Sequence, residues 1–156
     1  MKLVVTDKGV EATRPIRGID HVLVGVRDLE AAREIYARLG FTISPRGRHI
    51  GWGTANYCIM FPKDYIELLG IVDPAQFTHN LDRFLETREG LLGLAFASDD
   101  VALAERALQR AGITPGETRD LKRILEDPAG EVWPRFKLLH MPPEATPGTS
   151  ASVRAR

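Results

Sequence analysis

The chain has 156 residues, 44% of them hydrophobic and 27% charged, the composition of an ordinary globular protein. Lys plus Arg number 21 and Asp plus Glu number 21, so the formal charge is zero, which argues against nucleic acid or an anionic membrane as the main partner. A single cysteine, Cys58, excludes an internal disulfide framework, no apolar stretch reaches the ~18 residues of a membrane span, and the N-terminus lacks a signal-peptide core, so a cytoplasmic location is expected.

Residues 1–16 read as a leader with a small strand at Leu3-Val4-Val5, and residues 17–148 as one domain. Ile19 and Val22 to Val26 are β-branched and apolar, which predicts a buried strand. Asp28 is the expected N-cap of a helix whose apolar face is Leu29, Ala32, Ile35, Tyr36 and Leu39, with Gly40 as its stop. Phe41 to Ser44 alternates like a strand, and Pro45 to His49 reads as a basic loop. Thr54 to Phe61 and Tyr65 to Ile71 predict two strands joined at Pro62-Lys63-Asp64, which completes module one at 17–72.

A connecting helix is expected over 73–89, opened by Asp73-Pro74 and carrying Phe77, Leu81, Phe84 and Leu85 on one face. Module two, 90–141, then repeats the order: a strand from Leu91 to Ala97, a helix capped by Asp99 or Asp100 and ended by Gly112, a short strand at Ile113-Thr114, and strands at Leu121–Leu125 and Val132–Leu139. The repeat carries no gap, because Gly18 and Gly90, Asp28 and Asp100, and Gly40 and Gly112 are each 72 positions apart. A repeated strand-helix-strand unit implies two pseudo-symmetric halves, an α+β fold, with a site between them. His21 of the first copy is Gly93 in the second. After Pro142 the periodicity is lost, and residues 149–156 read as a disordered tail.

His21 and Glu67 are the first candidates for chemistry. A carboxylate within Tyr65-Ile66-Glu67-Leu68-Leu69 is costly unless paired, metal-bound or at a water-filled site. On one sheet face with His21 it supplies two ligands for a divalent metal; the plainer reading of each alone is a backbone-bonded His and a Glu at a sheet edge. The second candidate is the segment from Arg46 to Asn56, whose three glycines allow close backbone approach. There Arg48 is suited to a carboxylate or phosphate, Trp52 to an apolar contact and Asn56 to a polar one, against the plainer reading of a solvated loop. His79 reads as exposed on the connecting helix, His140 is unassigned, and Cys58 reads as a small core residue. The sequence has no Ser-His-Asp spacing, phosphate loop or Cys-x-x-Cys.

Ile19-Asp20-His21-Val22, Val26-Arg27-Asp28-Leu29-Glu30-Ala31-Ala32 and Leu39-Gly40-Phe41 resemble the opening module of the vicinal oxygen chelate superfamily, which includes glyoxalase I, extradiol dioxygenases and bleomycin-resistance proteins. Pro45 to Asn56 with Tyr65-Ile66-Glu67-Leu68 resembles its glyoxalase-like domain branch, over roughly residues 17 to 148. The resemblance implies tandem βαβββ modules whose mixed sheet curls around a cavity with helices outside. It also implies a divalent metal (Zn, Ni, Fe, Mn or Mg) held by the first and last strands of each module, with no organic cofactor. His21 and Glu67 match the module-one ligands. Their module-two counterparts are Gly93 and a position near Trp133 to Arg135, and neither brings a carboxylate or imidazole. A second chain, the substrate or His49 would then complete the set. Relatives of this type often add a further strand bearing a histidine, where this chain reads as truncated or diverged. The implied activity is a metal-dependent lyase, isomerase or dioxygenase on a small carbonyl or oxygen-rich compound. Here His49 and Glu67 are catalytic, Arg48, Trp52 and Asn56 bind substrate, and a homodimer is possible. The alternatives are a non-catalytic binding or resistance-type protein and a paralogue with an incomplete metal site.

Overall fold

The computed structural model describes residues 14–155, so the strand expected at Leu3-Val4-Val5 lies outside the described residues. Module one runs β1 (Gly18–Gly25), α1 (Leu29–Arg38), β2 (Gly47–His49), β3 (Thr54–Met60) and β4 (Tyr65–Ile71). A short helix, α2 (Leu81–Thr87), leads to module two: β5 (Gly90–Ala97), α3 (Val101–Arg110), β6 (Thr118–Leu125), β7 (Arg135–His140) and β8 (Ser150–Ala155). The eight strands close in the order β1-β4-β3-β2-β6-β7-β8-β5. The tandem βαβββ arrangement around a cavity, with helices outside, is therefore the observed architecture.

The caps form as their residue types dictate. The Asp28 side chain accepts a hydrogen bond from the Ala31 amide at 2.9 Å, and Asp100 accepts one from the Ala102 amide at 2.8 Å. Alternation along the strands then feeds two cores. Ala55, Tyr57, Ile59 and Leu68 pack with Val26 and Leu29 beneath α1, and Leu139, Val153 and Ala155 pack with Val101, Ala104 and Leu108 beneath α3.

Five expectations are corrected. The tail expected over 149–156 is instead a strand at Ser150–Ala155, with Arg156 outside the described residues: β8 pairs parallel with β5 and antiparallel with β7, and closes the sheet. Its Val153 and Ala155 fill the α3 core and Ala151 is buried on the same strand, an apolar alternation that the intervening Ser152 and Arg154 disguise. Module two thus extends beyond 141, through β8. Phe41 to Ser44 forms only a single bridge, Ile43 to Ile59, and the strand lies instead at Gly47–His49, where ladders to both β3 and β6 override loop-like composition. Ile113-Thr114 is not a strand, and the connecting helix is confined to Leu81–Thr87. Ahead of α2, Asp73 turns the chain by accepting from the Ala75 amide, and His79 and Asn80 take φ values of 54° and 63°, which no helix tolerates.

Candidate active site

Strand alternation decides which side chains enter the barrel. His21 and Leu23 of β1, Tyr65, Glu67 and Leu69 of β4, and Ser150, Ser152 and Arg154 of β8 all line one cavity of about 610 Å³. β2 contributes His49 and β6 contributes Arg123. At the far end of the barrel a second opening shares Tyr65, Arg123, Phe136 and Arg154 with the first, so these four stand at the waist.

Register fixes the pseudo-symmetric positions. In module one Leu23 pairs with Glu67; in module two its counterpart Ala95 pairs with Ser152. Ser152, not a residue near Trp133 to Arg135, therefore stands where Glu67 stands. The further strand is present as β8, and it carries a serine rather than a histidine at that place.

His21 lies between two carboxylates. Its Nδ1 is 2.7 Å from Asp20 Oδ2 and its Nε2 is 3.0 Å from Glu67 Oε2. Ionised carboxylates only accept, so both ring nitrogens must donate and the ring is an imidazolium. Burial opposes this charge, but the bonds to Asp20 and Glu67 outweigh it and raise the His21 pKa above the usual 6.5. The Tyr65 ring stacks on the imidazole with centroids 4.5 Å apart. Asp20 is driven by burial toward protonation, yet the His21 bond and the Arg154 charge prevail and lower it to about 2. Arg154 Nη1 donates to Asp20 Oδ2 at 2.5 Å and also to the Tyr65 hydroxyl, and its guanidinium lies 3.6 Å from the Phe136 ring centroid.

Glu67 joins two imidazoles. Its Oε2 faces His21, and its Oε1 lies 3.8 Å from His49 Nε2 and accepts from the Asn56 side-chain amide. Burial would raise its pKa, but His21, His49 and Arg123 together hold it well below the usual carboxylate range. His49 behaves in the opposite way to His21. Its Nδ1 is 2.8 Å from Thr54 Oγ1, its Nε2 makes no hydrogen bond, and burial, reinforced by the Arg123 and Arg154 charges, lowers its pKa to about 4 against the pull of Glu67.

Of the residues singled out in the sequence, His21, His49, Trp52 and Glu67 meet at the cavity. Arg48 does not: β2 turns it outward, its side chain is 52% exposed, and it lies 3.8 Å from Glu126. Asn56 does not line the cavity; it stands behind Glu67 and positions its carboxylate. His79 is not exposed on a helix but sits half-buried at the mouth, its ring 4.3 Å from His140 and 5.6 Å from Trp52. Sequence reasoning missed Asp20, Tyr65, Arg123 and Arg154. Asp20 and Tyr65 carried a signal, as polar groups within the runs that hold His21 and Glu67; Arg154 lay in the segment read as tail.

The implied divalent metal finds only part of its donor set here. His21 Nε2 and Glu67 Oε2 are spaced as two ligands of one ion would be. The other half of the set does not fit. A Cβ at Gly93 would overlap the Ser150 carbonyl oxygen, so no ligand side chain fits there without backbone movement. Ser152 offers only a hydroxyl, and its neighbour on the same strand face is the cationic Arg154. Among the described residues no three His, Cys, Asp or Glu side chains converge as a metal site.

A closed sheet of paired βαβββ modules, with a His and a Glu of the first module inside it, defines the vicinal oxygen chelate class. The sequence matches the glyoxalase-like domain family over residues 19–153, and the chain belongs to that family. No curated protein matches the chain. Among solved structures it is similar to methylmalonyl-CoA epimerase from Mycobacterium tuberculosis, at 22% identity and a TM-score of 0.72 over 94% of this chain and 92% of that one. It is also similar to a Streptomyces coelicolor methylmalonyl-CoA epimerase variant in complex with 2-nitronate-propionyl-CoA, at 18% identity and a TM-score of 0.70 over 90% and 94%. A hypothetical protein from Staphylococcus aureus matches at 16% identity and a TM-score of 0.71 over 88% of this chain and 57% of that one. At these identities the likeness is one of fold.

Proposed function

We propose that this glyoxalase-like protein is an isomerase- or lyase-type enzyme that moves a proton at the carbon beside a carbonyl in a small substrate. One observation carries the reading: two buried histidines flank a single carboxylate, and their surroundings push them apart, His21 toward the charged form and His49 toward the neutral one. Such a split within one cavity is how acid and base roles are assigned at a single pH. His49 Nε2, neutral and without a hydrogen bond, accepts the proton as the C–H bond breaks. The electron pair moves onto the carbonyl oxygen, where the buried His21 imidazolium supplies stabilising charge. Glu67, facing both rings, holds them in register and gives the proton a route between them. Trp52 walls the cavity beside His49. The similarity to epimerase structures supports an isomerase-type proton shift and nothing about substrate.

No step is routed through a metal, because the donor set lacks its second half. The dioxygenase reading goes with it, since an oxygen-activating iron needs at least three such donors. The test is solvent exchange. Small aldehydes, ketones and thioesters are incubated with the full chain in D2O and followed by proton NMR. Enzyme-dependent loss of the α-proton signal in at least one compound is expected, slowed ~10²–10⁴-fold in His49→Asn. Saturable binding with no exchange across the panel would contradict the proposal and favour the binding-protein alternative.

A further inference from the structure

The charges inside the barrel do not balance. Asp20 is paired with Arg154 and Glu67 with the His21 imidazolium, while His49 is neutral. That leaves Arg123. It projects from β6 directly opposite His49 on β2 and lines the same cavity. No carboxylate oxygen of the described residues is within ion-pair range of it. Its Nε is buried with no hydrogen-bond partner, and Nη1 reaches only the Cys58 sulfur at 3.5 Å. Gly47 makes room for it, since a Cβ there would lie 2.7 Å from Arg123 Cδ. The guanidinium sits over the Phe136 ring at 5.6 Å, so its face is covered and its donor edge is left for a ligand.

A partly buried guanidinium with an unsatisfied donor is unfavourable unless a ligand completes it. Glu67 is the one acidic side chain lining the cavity among the described residues, and two carboxylates with His21 between them leave no further negative charge. The geometry points to Arg123 as the anchor for a carboxylate carried by the ligand, with the carbon that loses its proton facing the neighbouring His49. The ligand class is then a small oxo acid or another carbonyl compound bearing a carboxylate. This deepens the proton-transfer reading and rests on it only for the chemistry after binding.

Pyruvate and its neutral isostere pyruvamide separate the possibilities, added to the full chain in thermal melts. Pyruvate is expected to raise the midpoint saturably and pyruvamide to leave it unchanged, because only a ligand of the native state shifts it. Arg123→Gln should weaken pyruvate at least ~10-fold, the effect of one lost charge-assisted pair, with Arg123→Lys intermediate and the outward-facing Arg48→Gln unchanged. In the unmutated protein, the Arg123 Nε–H resonance should move with pyruvate and not with pyruvamide, a readout that survives if Arg123→Gln fails to fold. Equal response to pyruvamide, an unmoved Arg123 resonance, or undiminished pyruvate binding by Arg123→Gln would each overturn the assignment. Arg123-dependent binding of pyruvate without α-proton exchange in any compound would uphold the anchor and remove the proton-transfer reading instead.

Discussion

His21 and His49 are the same residue type within one cavity, and their neighbours alone give them different charges. The consequence for stability has a definite sign. An unfolded histidine takes up a proton below ~6.5. His49 and His140, both lowered to about 4 chiefly by burial, stay neutral in the fold until that value. Between pH 6.5 and 4 the unfolded chain therefore binds more protons, and stability falls as pH falls. His21 is the opposite case: its raised pKa contributes stability that is full below ~6.5 and is lost as pH rises through the folded value. Melting midpoints measured from pH 8 to 4 should drop on the acid side, and His49→Asn should flatten part of that drop.

Asn56 and Gly47 make a second prediction at this scale. Asn56 holds Glu67, and a Cβ at position 47 would overlap the Asn56 side-chain oxygen. Gly47→Ala should displace Asn56, free the Glu67 carboxylate and slow exchange by at least ~10-fold, with a melting midpoint lowered by only a few degrees. Hydrogen–deuterium exchange rate and midpoint, measured together, separate this from general unfolding.

At the scale of elements, β8 shows where the sequence was legible and where it was not. β1, α1, β3, β4, β5 and α3 announce themselves through β-branched runs, Asp caps and Gly stops, and each stands close to its expected bounds. β2 and β8 do not, because short strands rich in Gly, Ser, Ala and Arg owe their form to ladders on both sides rather than to intrinsic preference. The same blindness hid Arg154 and Ser152, and it misplaced the module-two position equivalent to Glu67. His21 and Glu67 were readable because each is a polar group inside an apolar run. Arg48 was misassigned because a loop gives no facing, whereas the observed strand sends Arg48 out and His49 in. If β8 closes the sheet, a charge in its α3-facing row must be ruinous. Val153→Asp buries an unpaired carboxylate at a fully buried position and should leave the chain unfolded at 25 °C by circular dichroism, whereas Arg48→Gln, on the outside of β2, should melt close to the parent.

For the whole molecule, the repeat is symmetric in scaffold and asymmetric in chemistry. Both modules keep the Asp cap, the helix and the parallel pairing of first and last strands. Only module one carries a histidine and a carboxylate at its first- and last-strand positions; module two has Gly93 and Ser152 there, with Arg154 beside them. Positive charge at the cavity's centre is thus supplied by His21, Arg123 and Arg154. Dialysed protein should accordingly retain well under one equivalent of any divalent ion by elemental analysis, and His21→Ala should not change that content.

The proposed proton transfer requires His21 and His49 to hold opposite protonation states at neutral pH. Nitrogen-15 NMR of the imidazole rings reads this directly, with no substrate needed. The expected spectrum at pH 7 shows both His21 ring nitrogens protonated and His49 with one protonated nitrogen, staying so until the pH approaches 4. Two histidines titrating together near ~6.5, the value of an unperturbed imidazole, would contradict it.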